Sequence, residues 1–167
     1  VLTLSAITGN GFDPSALKTS TFQSKPPAGQ CVREDDLLIC RGNGNADLVG
    51  KGYFPDVDMP DVTFPDTMIA ARTPGDRIAR AYLQHVWNSP AVRRQIDSLA
   101  RTTNGTFKVN QTMLEGIEFV EPPLPLQNEF ARRVAAIDKL KAAQRSSLAE
   151  LDALFVSLQH RAFRGEL

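Results

Sequence analysis

The sequence predicts an α+β domain followed by one long C-terminal coiled-coil helix. Three observations carry that expectation. Residues 1–70 alternate short apolar segments with Gly- and Asn-rich turns. Residues 76–101 show helical periodicity. Beyond a proline-rich break, an apolar stripe repeats every 3.5 residues from Phe130 to Ala162. The chain has 167 residues, 42% of them hydrophobic, which suffices for one core with an appendage.

Taken in order, Val1-Leu2-Thr3-Leu4, Asp36-Leu37-Leu38-Ile39-Cys40 and Thr67-Met68-Ile69-Ala70-Ala71 read as short strands of a small twisted sheet. Gly9-Asn10-Gly11 and Gly42-Asn43-Gly44-Asn45 read as turns. Ile78, Tyr82 and Val86 repeat at four-residue spacing with Trp87 beside them, as in an amphipathic helix. Ser89-Pro90 supplies an N-cap and a first-turn proline for a second helix carrying Val92, Ile96 and Leu99. Residues 102–110 are expected to form a polar loop around Asn104-Gly105, and Ile117-Glu118-Phe119-Val120 a strand. Pro122-Pro123-Leu124-Pro125 is expected to be a rigid link that continues neither helix nor sheet.

The last segment carries the strongest periodic signal. Steps of four and three pass through Phe130, Val134, Ile137, Lys141, Gln144, Leu148, Leu151, Phe155, Leu158 and Ala162, and eight of these ten are apolar. A helix lying on its own domain also shows an apolar face. A 3.5 period sustained for about four heptads is instead the seam of a coiled coil. At ~1.5 Å per residue such a helix is about 50 Å long, more than this domain needs, so a partner helix is expected along Phe130, Val134, Ile137, Leu148, Leu151, Phe155 and Leu158. Lys141 and Gln144 in mid-seam weaken packing but set register.

Charge and chemistry narrow the function. Lys plus Arg equals Asp plus Glu at 19 each, which argues against a general polyanion binder. The balance is local, however. Between Phe54 and Asp66 there are four acids and no base, whereas residues 72–108 hold seven bases against two acids. Such a basic middle is suited to phosphate. Cys31 and Cys40 are expected to be small apolar residues around a strand, with neither a disulfide nor a metal site implied. His85 and His160 sit in no nucleophile or metal pattern, the Gly42–Asp47 loop lacks the third glycine of a dinucleotide loop, and Asp56, Asp58 and Asp61 lack the further ligands of a calcium loop. No catalytic residue, metal or cofactor is therefore expected. No apolar run reaches the roughly 20 residues that cross a bilayer, and no secretory pattern opens the chain, so the expected location is cytoplasmic, without a membrane. The start at Val1, in what reads as a strand, is expected to mark a fragment.

A family resemblance resides in residues 122–167. Pro-Pro-Leu-Pro, a following Gln127 and a helix closing on Leu158, Arg161, Ala162, Phe163, Gly165, Glu166 and Leu167 resemble the segment that ends the specificity subunits of type I restriction-modification enzymes. Residues 32–45 resemble that family's strand and Arg-Gly loop, and residues 82–125 the helix pair, polar loop and final strand of its target recognition domain. The family's opening strands, with a Pro-x-x-Trp entry, are absent. The resemblance implies a target recognition domain over residues 1–125, cut short at its front, and a spacer/dimerisation helix with tail over 126–167.

It further implies a non-catalytic DNA reader. Such a domain reads half of a bipartite site on double-stranded DNA. Its helix pairs with a second specificity half, in cis or as a homodimer. Methyltransferase subunits, which hold S-adenosylmethionine, and restriction subunits join the assembly. The candidate DNA contacts are Arg41, Asn43 and Asn45 in the Gly-rich loop, Thr102, Thr103, Asn104, Thr106 and Lys108 in the second loop, and Arg72 and Arg101, with Arg93 and Arg94 as further phosphate contacts. Arg and Asn suit guanine and adenine edges, and Thr and Lys suit phosphates. In the tail, Arg161 and Arg164 are fork donors at a helix C-terminus and Phe163 is an apolar anchor, together a docking surface for a methyltransferase subunit. The alternative is that Phe163 folds back onto the coil. A scaffold that dimerises through the helix without reading DNA is the other function compatible with the chain.

Overall fold

The computed structural model describes residues 1–22, 26, 28–73, 76–103 and 105–166, with the backbone alone at residues 28 and 103. The fold is α+β, with small antiparallel sheets, short helices and one long C-terminal helix. The chain divides into two compact units, Val1–Leu124 and Pro125–Leu167.

The first unit is organised by one strand. β1 is Cys31–Val32, β2 Asp36–Cys40, β3 Gly42–Asn43, β4 Gly52–Tyr53, β5 Met59–Thr63 and β6 Met68–Arg72. β2 lies between β4 and β6, antiparallel to both, and β1 pairs with β5 in a separate ribbon. Every residue of β2 is buried. Side chains alternate across a strand, so Leu37 and Ile39 point one way and Leu38 and Cys40 the other. The first pair enters a core with Val49, Trp87, Val92 and Ile96; the second enters a core with Leu2, Ala6, Ile7, Val32 and Met68. A strand covered on both faces reads as an unbroken apolar run, which is why it was legible. Each buried Leu or Ile contributes about 2 kcal/mol by area removed from water.

α1, Arg80–Trp87, and α2, Pro90–Leu99, cover one face. Ser89 accepts from the Val92 N–H as the N-cap of α2, as expected. Trp87 donates its indole N–H to the Gly50 carbonyl at 2.8 Å. Gly50 itself has φ +79°, and a Cβ there would stand 2.5 Å from Ile96 Cγ2.

Several local expectations are corrected. Residues 1–4 do not form a strand: Leu2 makes an isolated bridge to Leu17, and Leu4–Ala6 is a 3-10 turn. The backbone bonds go to a returning loop (Thr3 N–H to Ala16 O at 2.8 Å, Lys18 N–H to Val1 O at 2.9 Å), and the turn swings Leu2, Ala6 and Ile7 into the core. Residues 117–120 join no strand among the described residues. The Gln95 amide takes that place, donating to Glu118 O at 2.7 Å and accepting from Glu118 N–H at 2.9 Å, while Tyr82 Oη donates to Val120 O at 2.6 Å. The expected polar loop is instead a hairpin of β7, Arg101–Thr103, and β8, Thr106–Lys108. A short helix, α3, Gln111–Glu115, follows it, capped by Asn110, whose Oδ1 accepts from Met113 N–H at 2.9 Å.

The long helix, α4, runs over 40 residues, Leu124–Phe163, about 60 Å at the α-helical rise. It begins before Pro125, so this proline belongs to the first turn, where its missing N–H leaves no bond unmade. Phe130, Ile137, Leu148, Leu151, Phe155 and Leu158 are 40–62% exposed, and Val134 is half-buried. The helix ends on two bonds, Glu166 N–H to Arg161 O at 3.0 Å and Gly165 N–H to Ala162 O at 3.1 Å, the paired closure of a Schellman motif. Phe163 is 89% exposed and does not fold back onto the coil. Leu167 lies outside the described residues.

The Ile96 contact yields a paired expectation. Gly50→Ala forces both the left-handed backbone and the clash, and is expected to cost about 3 kcal/mol. Gly105→Ala, at φ +74° with nothing within 4 Å, is expected to cost about 1 kcal/mol. Urea midpoints at constant slope measure both, and equal losses would show that the Ile96 contact carries no weight.

Candidate nucleic-acid interface

The two segments expected to touch DNA are hydrogen-bonded into one sheet. β3 and β7 flank β8, with Gly42 opposite Lys108, Asn43 opposite Phe107, Arg101 opposite Lys108, Thr102 opposite Phe107 and Thr103 opposite Thr106. Arg41 ties this sheet to β2, since its N–H donates to Thr67 O at 2.8 Å and its carbonyl accepts from Val109 N–H at 2.9 Å. The Arg41 guanidinium reaches Asp66 O at 3.2 Å and remains exposed.

The pleat sorts the side chains by face. Phe107 lies on the face that packs against the first core, with Asn43 and Thr102 in the same row. Arg101, Thr106 and Lys108 belong to the opposite face, together with Gly42. Lys108 crosses directly over Gly42: a Cβ there would lie 3.3 Å from Lys108 Cγ. Arg101 and Lys108, both exposed, are therefore cross-strand neighbours with like charge. Such a pair is unfavourable by itself and is relieved by an anion between the two. Among the described residues neither has an acidic partner.

The turn beyond β3 is held by its own side chains. Asn43 Oδ1 accepts from Asn45 N–H at 2.9 Å, and Asn45 Oδ1 accepts from Asp47 N–H at 3.0 Å. Asn43 also contacts the Cys40 thiol, whose pKa is pushed up by burial and only partly offset by the hydrogen bond from Asn43. Cys31 and Cys40 are free thiols.

Arg72 stands apart. It pairs with Asp36 at the opposite end of β2 from Arg41, about 17 Å along the chain at ~3.3 Å per residue. Its Nη2 and Nε lie 2.6 and 2.8 Å from Asp36 Oδ1, and Asp36 is fully buried with Oδ2 unpartnered among the described residues. Arg93 is engaged by Asp97 and by the Val49 carbonyl, Arg77 by Glu121, and Arg80 by Glu34 and Asp35. Much of the basic excess of residues 72–108 is thus neutralised inside the domain. Thr102 is exposed, Thr103 is described by its backbone alone, and Asn104 lies outside the described residues. In the long helix, Glu129 is forked by Arg132 and Arg133, and the hydrogen bond from Arg133 is the main cause of its lowered pKa. Among the described residues no group of three or more His, Cys, Asp or Glu side chains could hold a metal ion, and no helix is long and apolar enough to cross a membrane.

No family model matches the chain. It is 32% identical over 152 residues to the type I restriction enzyme StySPI specificity subunit of Salmonella potsdam, a match covering 87% of this chain and 32% of that protein. It is 26% identical over 172 positions to the type I restriction enzyme EcoKI specificity subunit of Escherichia coli (strain K12), covering 100% of this chain and 37% of that protein. The chain belongs with the specificity subunits of type I restriction enzymes. It spans about a third of the length of these curated relatives. The β3-β8-β7 sheet brings together the two segments that the sequence singled out. The register that unites its two segments is long-range, and nothing in either segment alone signals it. Phe107, a lone aromatic between polar neighbours, is the one local mark of a strand with a core-facing side.

The contrast between Arg72 and the sheet cations is measurable by thermal melting. Arg72→Ala strands a buried carboxylate and is expected to cost about 3 kcal/mol, partly recovered when Asp36→Asn is added. Arg101→Ala and Lys108→Ala are expected to stay within about 0.5 kcal/mol of the parent.

Proposed function

We propose that this chain is a DNA sequence-recognition segment of a type I restriction-modification system, reading half of a bipartite duplex target. The observation that supports it most is the sheet in which the exposed Arg101 and Lys108 stand side by side, without acidic partners among the described residues, next to the Arg41–Asn45 turn. In this reading residues 1–125 are the target recognition domain. Arg101 and Lys108 grip phosphate, with Thr106 on the same face and Thr102, Thr103 and Asn104 adjacent in sequence, and Arg41 and Asn45 face the bases from the turn that Asn43 holds in place. Arg72 contributes to phosphate binding only at the margin, since Asp36 already neutralises it.

Residues 126–167 form the spacer. A 3.5-residue seam with side chains this exposed is best satisfied by a second helix of the same kind, from another specificity half in cis or from a second copy. Arg161, Phe163 and Arg164 dock a methyltransferase subunit, through which restriction subunits are recruited. Catalysis and S-adenosylmethionine belong to those partners, and the assembly works in the cytoplasm, where its DNA is. The exposed seam alone also favours a coiled-coil scaffold without DNA specificity. The two readings part on DNA: a scaffold assembles yet binds no duplex.

The test uses the full specificity subunit containing this chain, assembled with its methyltransferase subunits. Duplex binding is expected to depend on sequence and to weaken steeply with salt. Arg101→Ala and Lys108→Ala are each expected to reduce the slope of log K against log salt by about 1 without changing the preferred sequence. Sequence-independent binding, or slopes unmoved by both variants, would count against the assignment. Leu148→Asp with Leu151→Asp is expected to abolish pairing of the two specificity halves in sedimentation, with the melting of residues 1–124 unaltered.

A further inference from the structure

Asn45 is exposed yet held from three directions. Its N–H donates to Asn43 Oδ1 at 2.9 Å, its Oδ1 accepts from Asp47 N–H at 3.0 Å, and its carbonyl accepts from Leu48 N–H at 3.2 Å. The capping bond turns the amide oxygen back toward the chain. The end of the amide left outward is Nδ2, a double donor for which no partner is found among the described residues. Beside it, Gly44 has nothing within 4 Å of where a Cβ would stand, so a ligand can approach from that side without displacing protein atoms.

This geometry restricts what the side chain can recognise. An asparagine matches adenine by donating to N7 and accepting from N6 at once, which requires both ends of the amide to face the base. Asn45 cannot present both ends while its oxygen caps the turn. Guanine presents two adjacent acceptors, N7 and O6, in the major groove, and these suit an outward amino group. Resting on the DNA-reading role above, we propose that Asn45 is a donor-only specificity residue that selects guanine over adenine in the half-site. Because the fold already fixes its backbone and amide, little order is lost on binding. Asn43 is a positioning residue: its oxygen serves Asn45 and its amide contacts Cys40. Arg41, likewise a donor without acceptor capacity, reinforces the preference for acceptor edges.

The experiment is selection from a randomised duplex library by the full specificity subunit assembled with its methyltransferase subunits. Asn45→Asp keeps the capping oxygen and removes the amino donor. Asn45→Ser keeps a capping oxygen without adding charge. The parent is expected to enrich guanine at a position where Asn45→Asp reduces the guanine-to-adenine preference by about tenfold or more, with a smaller loss in Asn45→Ser. The added charge of Asn45→Asp weakens binding at all sequences and is screened by salt, so the position-specific change is the readout. Adenine preferred at the affected position, or a selected sequence unchanged in both variants, overturns the proposal while leaving the DNA-reading role intact. A parent that enriches no sequence overturns the DNA-reading role itself.

Discussion

The fold depends on β2 being buried from both sides. Five consecutive residues must lose water on two faces, so each face needs its own cover. One cover is α1 and α2, locked by the Trp87–Gly50 bond and the Ile96–Gly50 contact. The other is the irregular N-terminal segment, whose Leu2, Ala6 and Ile7 would have no reason to fold inward without Leu38 and Cys40. Because β2 passes directly into Arg41 and β3, the same strand that divides the two cores also fixes where the exposed sheet begins.

Electrostatics follows a similar division. Pairs such as Arg72–Asp36, Arg93–Asp97 and Arg77–Glu121 settle charge within the domain, and the one that joins a fully buried carboxylate matters most to stability. Arg101 and Lys108 are placed against each other instead. A protein gains nothing in folding from that arrangement, and an anion between the two would relieve it.

What could be read from the sequence followed the range of the interactions involved. The Ser89-Pro90 cap and the α4 helix rest on neighbours a few residues away, and β2, buried on both faces, shows as an unbroken apolar run, so composition and period suffice. The hairpin of β7 and β8 reads as a loop because Asn104-Gly105 and the charged Arg101 and Lys108 outweigh the strand preference of its threonines, and the partner that stabilises it, β3, is remote in sequence. Residues 117–120 have strand-like composition but no strand to pair with, and Gln95 answers their backbone instead. For the site, residue type singles out Arg41, Asn45, Arg101 and Lys108, which the structure leaves exposed, but it equally singles out Arg72, which is paired with the buried Asp36. The consumption of the Asn43 and Asn45 oxygens by the turn is a matter of geometry that no residue count discloses.

On the outer face of the β3-β8-β7 sheet Arg101 and Lys108 are exposed, while the inner face is anchored by Phe107. Substitutions on the outer side therefore escape the packing constraints that govern the cores. Such a surface can drift freely in chemistry over a scaffold that stays the same, since a handful of exchanges at solvent-facing positions would demand no compensating repair inside.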